Sequence, residues 1–286
     1  MKTHRIGRNA WGILLLLVAS CGKPSAVEPP FSDLQFQQLG GKIQQMNTRQ
    51  YVAERAADMA AALASPGSWM LPADVPVQTT DGDMARTSQE LSFDRAGNLL
   101  SSRLIMSVTG PKAMHAEGLI TVSRQAPGLR SLQCDMTLTS GIGGEHRFPC
   151  GRGEWRYSSP GIISRRELKS DASETTWEEQ FDTHGRWTVV DHKIVNKDGA
   201  PGKKLHDLSE HKVAQAYDAE GRVTASRGTR NGEDRYYYTL YFDPDRHGNP
   251  QRVMLLSSAS ADRHDAESLK RVELSTITYS YYDEIR

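Results

Sequence analysis

Along most of this chain, side chains of one kind recur at every second position. Leu104, Met106 and Val108 form one such run, and Leu132, Cys134, Met136 and Leu138 another. Val190, His192 and Ile194 continue the habit, as do Tyr236, Tyr238, Leu240 and Phe242, and finally Ile277, Tyr279 and Tyr281; Trp177 and Phe181 bracket Glu179 on one face. A period of two with a polar opposite face predicts antiparallel strands covered on one side only. No stretch after residue 66 carries a long helical pattern. The expected body, residues 67–286, is mainly β: an extended, curved antiparallel sheet built of hairpins.

The region before it reads differently. Between Leu34 and Leu63 the composition is rich in Gln, Ala, Met, Leu and Glu, all good helix formers. Ser32 or Asp33 can cap its start, and Ser65-Pro66-Gly67 is a stop signal. Gly40-Gly41 should break or bend the stretch, leaving a firmer helix near Thr48–Ala64 with Tyr51, Ala56, Met59 and Leu63 on one apolar stripe. Residues 31–66 are therefore expected to be helical and packed on or beside the sheet.

One short pattern repeats. Phe93-Asp94-Arg95-Ala96-Gly97-Asn98 is followed by Phe181-Asp182-Thr183-His184-Gly185-Arg186 and Tyr217-Asp218-Ala219-Glu220-Gly221-Arg222. A copy stretched by two residues runs from Phe242-Asp243-Pro244 through Asp245-Arg246-His247-Gly248-Asn249, and the chain stops at Tyr282-Asp283-Glu284-Ile285-Arg286, a copy cut off before its glycine. Chance predicts about 0.1 occurrences of aromatic-Asp-x-x-Gly in a chain of this composition, so the pattern is a repeat signal. Asp at the first position of a type I turn can bond back to the chain, and Gly at the fourth supplies the positive φ that re-enters the next strand. The pattern resembles the YD repeat of Rhs and teneurin proteins. That resemblance implies hairpins that build a long curled sheet enclosing or presenting other polypeptide, with structural rather than catalytic repeats. The unequal spacing of the copies points to a degenerate relative.

The amino terminus carries an address. Lys2, Arg5 and Arg8 precede an apolar run from Trp11 to Val18, which is far shorter than the roughly 20 residues that span a bilayer. It ends in Val18-Ala19-Ser20-Cys21, which resembles the lipobox of bacterial lipoproteins. The resemblance implies a signal peptide over 1–20, a lipid on Cys21, a Pro-containing tether over 21–30, and an anchor in the outer membrane, since Gly22 stands where inner-membrane lipoproteins often carry Asp. The formal charge of the whole chain is zero, and no basic field points to nucleic acid. With Cys21 acylated, Cys134 and Cys150 remain, and an oxidising compartment makes a disulfide the simplest use of them. Closing that loop contributes roughly 3 kcal/mol in the chain-entropy model.

Catalytic signatures are sparse. The sequence has no G-x-S-x-G elbow, no HExxH and no GK[ST] loop. Gly141-Ile142-Gly143-Gly144 reads as a hairpin tip. His206 and His211 lack strand or helix spacing for a shared metal, and Glu178 and Glu179, as strand neighbours, face opposite sides. No cofactor and no metal site is expected. Tyrosines crowd the last fifty residues, and Tyr237, Tyr241, Tyr279 and Tyr281 form a candidate binding face. The leading expectation is a non-catalytic lipoprotein that binds a protein or glycan, within a secretion or toxin–immunity system as the Rhs resemblance hints. The alternatives are a lipid or lipoprotein carrier with a half-barrel fold, and a cell-wall or polysaccharide hydrolase. An apolar hollow favours the carrier, a carboxylate-lined cleft the hydrolase, and a Tyr-rich open face the binder.

Overall fold

The computed structural model describes residues 26–53, 59, 77–78, 84–109, 114–140, 144–159, 162–197, 207–262 and 266–284. The expected signal peptide, Cys21, His206 and residues 141–143 of the expected hairpin tip lie outside the described residues. The strands are β1 (Ile43–Ala53), β2 (Val77–Gln78), β3 (Met84–Phe93), β4 (Leu99–Thr109), β5 (Met114–Ala126), β6 (Leu129–Ser140), β7 (Gly144–Ser158) and β8 (Ile162–Lys169). They continue as β9 (Ser173–Phe181), β10 (Trp187–Asn196), β11 (Leu208–Tyr217), β12 (Val223–Arg230), β13 (Glu233–Pro244), β14 (Pro250–Ser258) and β15 (Leu269–Tyr281).

Every strand from β3 to β15 pairs antiparallel with the next, and β1 pairs with both β15 and β3. Apart from the two-residue β2, fourteen strands thus close into a barrel. This corrects the open curved sheet expected from the sequence. The hairpin reading was sound locally, but alternation reports only which side chains share a face. Closure depends on a strand drawn from the supposed helical segment.

That segment is the second correction. Ile43–Ala53 is strand β1, not helix: Met46 lies opposite Tyr279 on one side and Leu91 on the other. Helix propensity separates most residues by under about 0.7 kcal/mol each, and hydrogen-bonding two open edges outweighs it. A short helix, α1 (Asp33–Phe36), is capped by Ser32, whose hydroxyl accepts from the Gln35 amide while the Gln35 side chain accepts from the Ser32 amide; beyond Ala53, Met59 is helical and the other residues of the expected helix up to residue 66 lie outside the described residues. Gly40-Gly41, expected to break or bend a helix, instead lead from α1 into a strand: Gly41 has φ +80°, and Asn249 clamps Gly40 by its amide (2.7 Å) and its carbonyl (2.9 Å) before β1 begins.

The repeated turns all close hairpins at one end of the barrel. In each, the Asp amide donates to the carbonyl of the fifth residue and the Gly amide donates back to the Asp carbonyl, at 2.8 to 3.1 Å. The Asp carboxylate also accepts the fifth residue's amide: Asp94 from Asn98, Asp182 from Arg186, Asp218 from Arg222 and Asp245 from Asn249. Gly97, Gly185, Gly221 and Gly248 have φ between +75° and +86°, which glycine adopts without penalty. In the stretched copy Asp245, not Asp243, takes the turn position.

A barrel of about eight strands fills itself with side chains; fourteen leave a lumen. Here the amino-terminal segment, residues 26–42, occupies the end of the lumen at the repeated turns. The Val27 amide donates to the Tyr157 carbonyl (2.9 Å), Leu34 to Gly97 (3.1 Å), and the Gln38 side chain to Gly185 (3.0 Å). Tether residues from Val27 onward are therefore docked. Phe36 packs into a buried cluster with Val122, Leu132, Trp155 and Tyr157, and Leu34 into another with Ile43, Met46, Leu91, Phe93 and Tyr281.

The outer wall has a different character. Trp155 and Tyr157 face in, so Glu154 and Arg156 face out. Arg165 likewise meets Glu167 and Glu178 outside, Arg103 forms a two-point pair with Glu117, and His211 meets Asp191. Glu178 and Glu179 do take opposite faces. One outer patch is apolar: Met254, Leu256, Leu269, Val272 and Leu274 are buried beneath Met59, with Tyr238, Leu240 and Phe242 beside them. The Tyr236–Phe242 alternation therefore belongs to the outside, while the Leu132, Val190 and Ile277 runs point inward. Cys134 and Cys150 are joined by a disulfide, with Cα atoms 5.0 Å apart, at the bulge between β6 and β7.

Candidate functional site

Beneath the amino-terminal plug lies a cavity of about 570 Å³, within the usual range of ligand pockets. One side of it is aliphatic: Met46 from β1, Leu91 from β3, Ile120 and Val122 from β5, Leu132 from β6 and Ile277 from β15. The other side, from β7 to β10, carries Trp155, Arg166, Trp177, Glu179, Phe181 and Trp187. Phe36 and Leu39 of the plug complete it at the turn end.

The aromatic side is a cross-strand ladder. Register places Arg130, Trp155, Arg166, Trp177, His192, Glu210 and Arg230 successively opposite one another on seven neighbouring strands. Guanidinium and indole alternate along its first part: Arg130 stands 4.5 Å from the Trp155 ring centre, Arg166 stands 5.2 Å from Trp155 and 5.8 Å from Trp177, and the His192 ring stacks on Trp177 at 5.0 Å. Contacts of this kind contribute about 0.5–2 kcal/mol each and hold flat groups in fixed orientation.

Both carboxylates that line the cavity are tied to arginines. Asp33, only 3% exposed, accepts from Arg130 Nη1 (2.5 Å), the Tyr157 hydroxyl (2.7 Å) and the Leu99 amide (2.5 Å). Glu179 meets Arg166 Nη2 at 2.7 Å. Trp155 Nε1 donates to Ser164 Oγ at 2.8 Å. Burial pushes the Tyr157 hydroxyl well above the usual phenol range, and the neighbouring Asp33 charge adds to this. Burial also holds His192 below the usual imidazole value, which leaves its ring neutral near pH 7.

The four candidate tyrosines all take the inner face, where Tyr241 and Tyr279 line the cavity. Their hydroxyls are engaged. Tyr237 donates to Glu210 (2.9 Å), Tyr241 to the Val223 carbonyl (3.0 Å), Tyr279 to the Pro250 carbonyl (2.8 Å) and Tyr281 to Asp245. Burial raises Tyr241 to about 12 and raises Tyr237 and Tyr279 as well. These side chains brace the turns and the inner wall; they do not form an open outward face. Asp182, Asp218 and Asp245 each close their own turn rather than converging on one centre. No group of metal-ligating residues occurs among the described residues.

Sequence reasoning missed Asp33, Arg130, Trp155 and Arg166. The alternation of Trp155 with Tyr157 and of Arg166 with Leu168 carried a signal for the wall. Nothing local marks Asp33 as the partner of a side chain 97 residues away.

No protein-family model matches the chain, and no curated protein matches it. Among solved structures it is similar to a porin-like protein from Bacteroides uniformis ATCC 8492, with a TM-score of 0.39 and 8% sequence identity over 84% of this chain and 98% of that one. A likeness at that level transfers no function.

Proposed function

We propose that this chain is a non-catalytic lipoprotein of the bacterial outer membrane, anchored through Cys21, that binds a ligand with an apolar body inside its barrel. The observation that carries this reading is the aliphatic-walled cavity under the docked amino-terminal segment. An apolar hollow is what a carrier requires. The tyrosines that a surface binder would use are turned inward, and the cavity carboxylates that a hydrolase would use are each held by an arginine.

The charges on the outer wall support a position for the barrel beside the membrane. An arginine on the lipid face of a spanning barrel costs about 2–4 kcal/mol at mid-bilayer. Here Arg103, Arg156 and Arg165 all stand on the outer wall with carboxylate partners. Charged pairs of this kind suit water. The lipid on Cys21 then supplies the attachment, and the barrel stands beside the bilayer rather than across it.

The test uses the full-length lipidated protein in phosphatidylcholine vesicles with a photoactivatable monoacylglycerol. Mass spectrometry should find the label on peptides containing Leu91, Ile120, Leu132 and Ile277, and Ile120→Trp, which fills the cavity, should suppress it. Labelling confined to outer-wall peptides, or unaffected by Ile120→Trp, overturns the proposal.

A further inference from the structure

The lumen keeps two unlike sides beyond the cavity, toward the end away from the plug. On β4, Leu104 faces inward opposite Gln89 of β3, yet 47% of its surface is open. Met136 on β6 and Phe148 on β7 face inward opposite each other, and Phe148 is 41% open. Large apolar side chains left uncovered inside a barrel are informative, because the interior is where they would normally be buried.

In a ring of fourteen strands, β4 and β11 stand seven places apart, as do β5 and β12 and β6 and β13. The wall across from the apolar strip is therefore β11–β13, and it is cationic. Lys212 faces inward opposite Val190, and Arg230 lies opposite Glu210. Both converge on one carboxylate: Lys212 Nζ is 2.9 Å and Arg230 Nη1 is 3.7 Å from the Glu210 oxygens. Tyr237 donates to the same group, at 2.9 Å. Among the described residues, Lys212 and Arg230 share this one carboxylate, and Glu233, opposite Arg230 in register, is paired with Arg235, so the wall keeps a net positive charge at this point. Glu210 is itself held ionised: burial alone would raise its carboxyl, but Lys212, Tyr237 and Arg230 together bring it below the usual range.

Resting on the lumenal reading above, we infer that the ligand is an anionic single-chain amphiphile, its chain against the β4–β7 strip and its carboxylate or phosphate head at Lys212 and Arg230. Charge complementarity selects the head group, and the uncovered Leu104 and Phe148 select the chain. A neutral or cationic head would leave the excess charge of the wall unanswered.

The same vesicle system decides the point with three photoactivatable probes of equal chain length: a fatty acid, a lysophosphatidic acid and a neutral monoacylglycerol. Either acidic probe should reach half-maximal labelling of the Leu104 and Phe148 peptides at about tenfold lower concentration than the neutral one, as a charge-assisted contact warrants. Preference for the carboxylate or for the phosphate supports the inference and names the source of the head group. Lys212→Gln/Glu210→Gln/Arg230→Gln, which removes the cations without stranding the glutamate, should erase the acidic preference, while Lys212→Arg/Arg230→Lys should keep it. Retained labelling by the neutral probe shows that the triple variant is folded. Should it not fold, the half-exposed Arg230→Gln alone is expected to reduce the preference. Equal labelling by acidic and neutral probes, or a preference unchanged by removing the cations, overturns the inference and leaves lumenal binding intact. No lumenal labelling by any probe overturns lumenal binding itself.

Discussion

Replacing Asp33 by Ala should release the plug, and the structure sets the size of the effect. Asp33 accepts three hydrogen bonds of 2.5 to 2.7 Å from Arg130, Tyr157 and Leu99. The Arg130 side chain is 9% exposed, so removing Asp33 leaves a buried guanidinium with no counter-charge and only a long hydrogen bond to Asn98 Oδ1 (3.4 Å), a loss of about 3–5 kcal/mol. Its stacking on Trp155 and Tyr157 survives the substitution, and water entering beside a loosened plug can serve the Tyr157 hydroxyl. The lower part of that range is therefore the better guide. One kcal/mol moves the melting temperature of a large domain by about 2 °C, which puts the expected fall near 6–8 °C. Hydrogen exchange should locate the damage: the Val27 and Leu34 amides, which donate to Tyr157 and Gly97, should lose protection before amides of the strand ladder. Asp33→Leu/Arg130→Met, which removes both charges, should recover most of the loss. A melting temperature within about 1 °C of the parent, with unchanged exchange at Val27 and Leu34, would refute the claim that this pair holds the segment in place.

Two further outcomes follow from the same geometry. Gly128→Ala and Gly248→Ala both force an L-residue into positive φ, at +65° and +81°, but a Cβ at Gly128 would lie 2.0 Å from the Val27 carbonyl while one at Gly248 meets nothing within 4 Å. Both should lower the melting temperature, Gly128→Ala by the larger amount, and only Gly128→Ala should speed exchange of the Val27 amide. His192 carries a depressed imidazole pKa because burial disfavours its charged form, with Lys212, Arg166 and Arg230 adding to the effect against Glu210. The unfolded chain therefore takes up the proton first, so stability falls as pH drops from about 6.5 toward the folded value and levels off below it. His192→Phe keeps a ring on Trp177 and should flatten that part of the stability–pH curve, which denaturant titrations between pH 5 and 7.5 would reveal.

Much of the local structure was legible in the sequence. The period-two alternation belongs to strands, Gly40-Gly41 marks the turn into β1, and the Asp and Gly of each repeated turn occupy the positions that their chemistry demands. These features are local: each depends on dihedral preference or on hydrogen bonds spanning four residues, so the residues themselves carry them. The disulfide was legible because a chain with three cysteines leaves Cys134 few partners.

Tertiary structure decided the rest. The sequence by itself determined that the chain would form hairpins with two unlike faces; it did not determine which face lies inside. Tyr236–Phe242 and Ile277–Tyr281 alternate alike, yet one run faces out beneath Met59 and the other faces into the lumen, because facing direction is set by how the sheet curls. Closure converted a segment of helix-forming composition into β1, since a strand bonded to both β15 and β3 satisfies two edges that would otherwise stand open. The candidate site depends wholly on that closure. Leu104 and Lys212 stand on opposed walls only because fourteen strands make a ring, and Asp33 reaches Arg130 only because residues 26–42 enter the end of that ring.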